Sequence, residues 1–388
     1  MKNIVFVFNP ECYPVPAVNG GAVEALVTNL INENEIQQKF KFHVIMCKHS
    51  NDQTKYDYSN YKHTRFYDFY QGEIKFKSNK LVNAVNKRLN YALPLYSSYE
   101  KYILSVVNSI NPDFVVYEGV FNSTVRKLKK TLGKDKLVLH VHHQILPKYQ
   151  LDKHFGRMLC VSEFVKRDWQ ESRKLDANFK YQILNNVLTS TTFKNKLTES
   201  EEQELKLKFG IKEKDFVVVY CGRLIKEKGI DVLIKAIKEL RKDNLKLMII
   251  GESAFKNSKL TPFVENLKQL VGDDKNIFFT GFVPNEELYK YYSLANLQVI
   301  PSVWEEVAGI VALEGRAVGL PQIVTKSGGL PEYASKNAIV LDKENNLQEK
   351  LQEEILKFYN GEYSNLVEDE KIAGATEYYN QFVELMND

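Results

Sequence analysis

Long apolar runs are missing from this chain of 388 residues: no stretch approaches the roughly 20 consecutive apolar residues that a membrane-spanning helix needs. The opening "MKNIVFVFNP" is too short for the apolar region of a secretory leader, because Asn9 and Pro10 end it, and it reads as a first strand. Cysteine is scarce. The four present, Cys12, Cys47, Cys160 and Cys221, show no C-x-x-C spacing, which supports neither a disulfide framework nor a zinc site and fits a reducing cytoplasm. No repeat of fixed period is visible, and no complete G-x-G-x-x-G dinucleotide fingerprint. The basic and aromatic motifs of nucleic-acid modules are also missing, so no nucleic-acid partner is expected.

What is present is the composition of a soluble globular protein, 44% hydrophobic and 26% charged, long enough for two or three domains. The net charge of +4 is uneven. Residues 1–190 carry 27 Lys and Arg against 17 Asp and Glu, a net +10, which leaves −6 for the remainder. Such a split reads either as a basic face for an anionic partner (membrane phospholipid, a lipid diphosphate, nucleic acid) or as a solvated lysine surface.

Short Val/Ile/Phe-rich runs alternate with amphipathic segments: "NIVFVF", "FHVIMC", "DFVVYE", "KLVLHVH" and "RMLCVS", then "FVVVYCG", "LKLMIIG", "NIFFTG", "NLQVIPS" and "PQIVTK". Continuous apolar strands alternating with helices predict parallel sheets covered on both faces. The two series predict two doubly wound α/β domains of about five strands each. A polar Ser/Thr/Asn stretch places the linker near Thr189 to Lys196, dividing the chain into 1–190 and 191–370, with a C-terminal helix at about 371–388 packing back on the first domain.

In such domains ligands bind beyond the carboxyl ends of the strands. After the first strand, Gly20-Gly21 precedes a helical pattern, which is either an anion site or a plain tight turn. After "FVVVYC", Gly222 turns and Arg223 and Lys228 follow across a short loop, a planar fork and a mobile point charge suited to a diphosphate. "LVLHVHHQ" ends a strand with His140 and His142 on one face and His143 on the other. His142 could be a structural histidine or half of a His-x-His metal pair, although no third ligand is near it in the sequence. In "EEVAGIVALEGRAVG", Glu306 and Glu314 flank seven small or aliphatic residues, a pattern that also suits an amphipathic helix with solvated glutamates.

"YCGRLIKEKGIDVLIKAI", "FTGFVPNEELYKYYSLANLQVIPS", "EEVAGIVALEGRAVGLPQIVTKSGGLPEY" and the early Gly20-Gly21, in this order and spacing, resemble retaining glycosyltransferase family four. The resemblance covers most of the chain and is densest from Val217 to Tyr333. It implies a GT-B fold, two Rossmann-like domains facing a central cleft, with acceptor on the first and nucleotide sugar on the second. Glu306 and Glu314 match the family's Glu-x7-Glu signature. By that resemblance Glu306 contacts hydroxyls of the transferred sugar and Glu314 accepts both ribose hydroxyls, as an ionised carboxylate can from a vicinal diol. The amides of Gly309, Ile310 and Val311 would cradle the distal phosphate while the apolar side chains pack inward. Gly21, Arg223 and Lys228 fall on the diphosphate, the backbone of Phe282 and Val283 near the base, and His142 near the reacting sugar.

The pattern is not fully kept. Val307-Ala308 replace the usual Pro or aromatic after the first Glu, and "LEAMAxGxPV" reads "LEGRAVGLPQ". No Asp-x-Asp lies where a metal would bridge a diphosphate, so neither metal nor cofactor is expected, and Arg223, Lys228 and helix N-termini should stabilise the leaving phosphates. The expected activity is transfer of a hexose, with retention, from a nucleotide sugar of the UDP class to a glycan, glycolipid or lipid-linked acceptor in cell-surface polysaccharide synthesis. A nucleotide-sugar epimerase of GT-B shape and a non-catalytic glycan-binding subunit are the alternatives. The expected location is cytoplasmic and, if the basic half binds lipid, peripheral at the inner membrane face. Lys75, Lys77, Lys80, Lys87 and Arg88, beside an apolar stripe of Leu81, Val82, Val85, Leu89, Ala92 and Leu93, could lie on an anionic leaflet or pack on the first sheet.

Overall fold

A computed structural model of the chain describes residues 1–17, 21–49, 56–71, 84–85, 88, 96–119, 122–143, 153–171, 179–252, 261–363 and 372–388. Two compact units emerge: Met1–Thr189 with Ala373–Asp388, and Ser190–Ile372. Most of the basic amphipathic stretch lies outside the described residues. Its end enters the helix Ser98–Ile110, where Ser97 and Glu100 form a capping box and the buried Tyr99 hydroxyl donates to the Phe8 carbonyl at 2.9 Å.

The first unit is a seven-stranded parallel sheet. Its strands are β1 (Lys2–Val7), β2 (Phe40–His49), β3 (Thr64–Gln71), β4 (Phe114–Glu118), β5 (Leu137–Val141), β6 (Arg157–Cys160) and β7 (Lys180–Ile183), in the order β3-β2-β1-β4-β5-β6-β7. The order reverses at β1, which opens a crevice beyond the ends of β1 and β4. Phe6, Phe40 and Phe42 on one sheet face pack with Phe382 of the helix Ala375–Asn387, at centroid distances of 5.9, 6.1 and 6.2 Å to Phe382. Tyr379 of that helix donates to Asn34 Oδ1 at 2.6 Å, so the last helix is part of this unit's core.

The second unit is a six-stranded parallel sheet in the order β10-β9-β8-β11-β12-β13. These are β8 (Phe216–Cys221), β9 (Leu245–Ile250), β10 (Ile277–Gly281), β11 (Leu297–Ile300), β12 (Gln322–Thr325) and β13 (Ile339–Leu341). Its reversal falls at β8 and β11, paired through Leu297 with Val218 and Gln298 with Val219. Ile230, Leu233, Ile234 and Ile237 of the helix Ile230–Leu240 bury one stripe against the sheet, as 3.6-residue periodicity requires.

The strand counts correct the expectation of about five per domain. Three strands outside the predicted series, β3, β7 and β13, are edge strands. "TRFYDFYQ", "KYQI" and "IVL" are each partly exposed, so they lack the fully buried apolar signature of central parallel strands.

Candidate active site

Beyond the ends of β8 and β11 the chain builds a carboxylate-and-cation cluster. Gly229 makes it possible. Its φ is +66°, and a Cβ there would lie 2.0 Å from the Pro301 carbonyl oxygen, so only glycine lets the loop after β8 press against the end of β11. Val303 N–H donates to the Glu227 carbonyl at 2.9 Å and closes the seam. Lys228 is thereby set beside Glu306: its Nζ donates to Oε1 at 2.5 Å, and Ser302 Oγ donates to the same oxygen at 2.7 Å. Glu306 is buried and Lys228 half-buried. Residues assigned separately to sugar and phosphate are thus partners, and the three N–H donors of an ammonium let Lys228 hold Glu306 while facing a second anion. Arg223 is exposed and its side chain makes no hydrogen bond or ion pair among the described residues, while its carbonyl accepts from the Tyr220 hydroxyl at 2.9 Å and from the Ile225 amide at 3.0 Å.

The helix Ile310–Ala317 starts at Gly309 without a side-chain cap, and the amides of Gly309, Ile310 and Val311 take no partner among the described residues. Gly309 packs against the helix Leu330–Tyr333, where a Cβ would meet Leu330 Cδ1 at 2.7 Å. The apolar run does not pack inward throughout: Ala312 and Leu313 are buried, whereas Val307, Ala308, Ile310 and Val311 are half-exposed, because only one side of this helix faces the sheet.

Glu314 lies one turn further on, buried. Tyr292 donates its hydroxyl to Oε2 at 2.8 Å. Burial pushes the Glu314 carboxyl up to about 7, and the Tyr292 hydrogen bond only partly opposes it. No cation pairs with Glu314 among the described residues, so its ionised form awaits donors. Val283 is buried and Phe282 exposed just past β10. Tyr292 was not legible in the sequence; "YKYYSLAN" offers three tyrosines and no signal for which one turns inward toward Glu314.

In the first unit, Gly21 has φ +101° and heads the helix Ala22–Gln37. A Cβ there would lie 2.2 Å from Glu24 Oε2, and Glu24 Oε1 accepts from the Tyr13 amide at 2.9 Å. The anion held at this helix start is therefore the protein's own Glu24, whose pKa burial raises. Gly20 lies outside the described residues.

His142 directly follows β5 and has a partner the sequence concealed. Glu118, the last residue of β4, pairs in register with His140, and its Oε2 sits 3.0 Å from His140 Nδ1 and 2.8 Å from His142 Nε2. The reading that no third ligand accompanies the His-x-His pair is thus corrected, because strand pairing brings in a carboxylate 22 residues upstream of His140. Burial pushes Glu118 up, but the two imidazoles outweigh it and hold its carboxyl at about 2. Burial and His140 push His142 down to about 4, so at neutral pH a neutral ring donates to an ionised carboxylate.

Comparison with known proteins bears on this arrangement. Residues 201–375 match the family of glycosyl transferases group 1. A lipopolysaccharide 1,2-N-acetylglucosaminetransferase of Salmonella typhimurium is 26% identical over 245 residues, 61% of this chain and 61% of that protein, so the match spans under two thirds of the relative's length. Among solved structures, a glycosyltransferase from Rickettsia africae superposes with TM-score 0.68 at 17% identity, covering 100% of this chain and 93% of the other. Anabaena HepE in complex with UDP gives 0.64 at 16% identity, covering 100% and 95%. At such identities the likeness assigns the fold, and that fold is GT-B. Among the described residues no helix is long and apolar enough to cross a membrane.

Proposed function

We propose, for a chain whose residues 201–375 match the glycosyl transferases group 1 family, that it transfers a hexosyl group from a UDP-sugar, with retention, to a glycan or lipid-linked acceptor of the cell surface. The observation that carries this reading is the meeting of Lys228, Glu306, the Gly309–Val311 amides and Glu314 beyond β8 and β11, two buried carboxylates on either side of a set of unpartnered N–H donors. Such a set matches a ligand with a diol at one end, hydroxyls at the other and phosphates between them. The donor class draws on the UDP seen with HepE, and the acceptor class on the lipopolysaccharide named for the Salmonella relative.

In this reading Glu314 accepts from the ribose diol and Glu306 from sugar hydroxyls. Arg223, Lys228 and the helix amides hold the diphosphate and stabilise charge as it develops on the leaving group, with no bridging metal. Attack comes from the face the leaving group departs, and the departing phosphate oxygen takes the acceptor proton, because Glu306 already serves hydroxyls and no second carboxylate is assigned to a double displacement. On the first unit, which this reading assigns to the acceptor, His142 takes the place of the family histidine that serves the reacting sugar.

A panel of nucleotide sugars scored by nucleotide release, with and without membrane extract, tests it. Release from one donor, stimulated by extract and lost in Glu306→Ala, is expected. Interconversion of the sugar without acceptor would instead mark an epimerase, and silence with every donor a binding subunit.

A further inference from the structure

At the carboxyl ends of β4 and β5, Glu118, His140 and His142 each offer one ligand atom, and these atoms lie within 4.8 Å of one another. We propose that the three side chains bind a divalent transition-metal cation of the zinc class. Two imidazole nitrogens and one carboxylate oxygen suit zinc and its neighbours, whereas magnesium and calcium call for oxygen alone. The proposal rests on no assignment of donor or acceptor.

Geometry favours it. Glu118 and His140 are fully buried and His142 nearly so, and the Glu118–His140 register pair fixes two of the three on adjacent strands. Tetrahedral bonds of 2.0–2.1 Å hold neighbouring ligand atoms about 3.3 Å apart. Glu118 Oε2 stands 3.0 Å from His140 Nδ1 and 2.8 Å from His142 Nε2, hydrogen-bond separations within about half an ångström of that spacing, and all three ligand atoms lie within 4.8 Å of one another. Three protein ligands leave the fourth position of a tetrahedron for water or another oxygen.

Two further observations point to a cation. Glu118 Oε1 and His140 Nε2 are buried with no hydrogen-bond partner among the described residues, so the carboxylate has accepting capacity the fold does not use. Charge is also unbalanced. Among the described residues the ion-pair partners of Glu118 are the two histidines alone, another buried carboxylate, Glu24, is near enough to interact with it, and no Lys or Arg pairs with either. A buried carboxylate without a cationic partner is costly, and a doubly charged ion supplies what the side chains do not.

The test uses the full chain, stripped with chelator and dialysed. Zinc chloride titrated into it should bind one equivalent with dissociation constant in the micromolar range or tighter and raise the melting temperature. Glu118→Gln, which keeps an oxygen for the histidine donors, and His140→Asn should each weaken binding at least tenfold, while His43→Ala on β2 should not. Should either variant fail to fold, the wild-type cobalt complex decides: tetrahedral visible absorption and two paramagnetically shifted exchangeable imidazole protons are expected. No saturable binding below about a millimolar, binding unchanged in both folded variants, or a cobalt complex without shifted imidazole protons overturns the site.

Discussion

Donor binding should carry a proton linkage at Glu314. Burial moves this carboxyl from 4.5 to about 7. At about 1.4 kcal/mol per tenfold change, ionising it inside the fold costs about 3 kcal/mol more than in water. Two hydroxyls donated by a ribose offset that cost, each charged-group hydrogen bond contributing roughly 1.5–3 kcal/mol. If only the ionised form binds, affinity follows the ionised fraction, about one half at pH 7, nine tenths at pH 8 and one tenth at pH 6, so binding should be roughly tenfold weaker at pH 6 than at pH 8. A nucleotide sugar is the right ligand, since its diphosphate diester does not titrate in this range. Calorimetry in two buffers of different ionisation heat should also show about half a proton released at pH 7. Glu314→Gln should lose roughly ten- to a hundredfold in affinity at pH 8, and its pH dependence should be flat. Stability should move the other way. The folded pKa lies above the unfolded one, so the penalty is absent below the unfolded pKa, grows as pH rises and is complete above about 7. Glu314→Gln should therefore melt higher than wild type at pH 8, with the difference shrinking at pH 5. Equal affinity at pH 6 and 8, or the same slope in Glu314→Gln, refutes the linkage.

Four other substitutions test the site and the core. Glu306→Ala should lower turnover at least a hundredfold while changing free-UDP affinity less than threefold, whereas Lys228→Ala should weaken UDP by about 1.5–3 kcal/mol; calorimetry and steady-state kinetics distinguish them, and equal loss of UDP affinity in both would merge the two roles. Gly229→Ala puts a Cβ 2.0 Å from the Pro301 oxygen, so it should cost about 1–3 kcal/mol in urea unfolding and reduce turnover by displacing Lys228; a variant with wild-type stability and rate would show the seam to be slack. Phe382→Ala should destabilise the first unit by about 3–5 kcal/mol, read by denaturant unfolding, because the fully buried ring packs on Phe6, Phe40 and Phe42. A loss under 1 kcal/mol would mean the last helix docks without contributing to the core.

Central strands and the Glu306–Glu314 pair were readable because both are local: a buried parallel strand is a continuous apolar run, and two carboxylates eight positions apart share one helix start. Edge strands such as "KYQI" were not, since half their surface meets solvent and the apolar run breaks. The partners of the site side chains were the least legible part. Glu118 reaches His140 only through the β4–β5 register, and Tyr292 reaches Glu314 from a separate helix, 22 residues away in the chain. Register and helix rotation are settled by the packing of the whole sheet, so no window of sequence contains them.

Two of the changes from the family pattern in "LEGRAVGLPQ", Gly315 and Gln322, explain one another once the buried face of the helix Ile310–Ala317 is considered. Gln298, in the centre of the sheet on β11, is fully buried and donates Nε2–H to the Val311 carbonyl at 2.8 Å. Gln322 on β12 donates to Gln298 Oε1 at 2.6 Å and to the Ala312 carbonyl at 2.8 Å, and its own Oε1 accepts from the Ser335 amide at 2.7 Å. A Cβ on residue 315 would lie 2.0 Å from Gln298 Oε1, so this pair of amides requires Gly315 where the pattern has alanine. Glycine inside a helix costs about 1 kcal/mol relative to alanine. The amide network offsets it by tying two helix carbonyls to the sheet, and changing Gln322 alone to valine would strip Gln298 Oε1 of its donor in a dry interior. The tied carbonyls belong to the turn whose amides, Gly309 to Val311, are the unpartnered donors of the site. Gly315 and Gln322 are therefore mutually dependent through Gln298: a side chain at 315 would displace the Gln298 oxygen, and without the Gln322 amide that oxygen would have no donor, so neither position returns to the pattern's residue alone without cost.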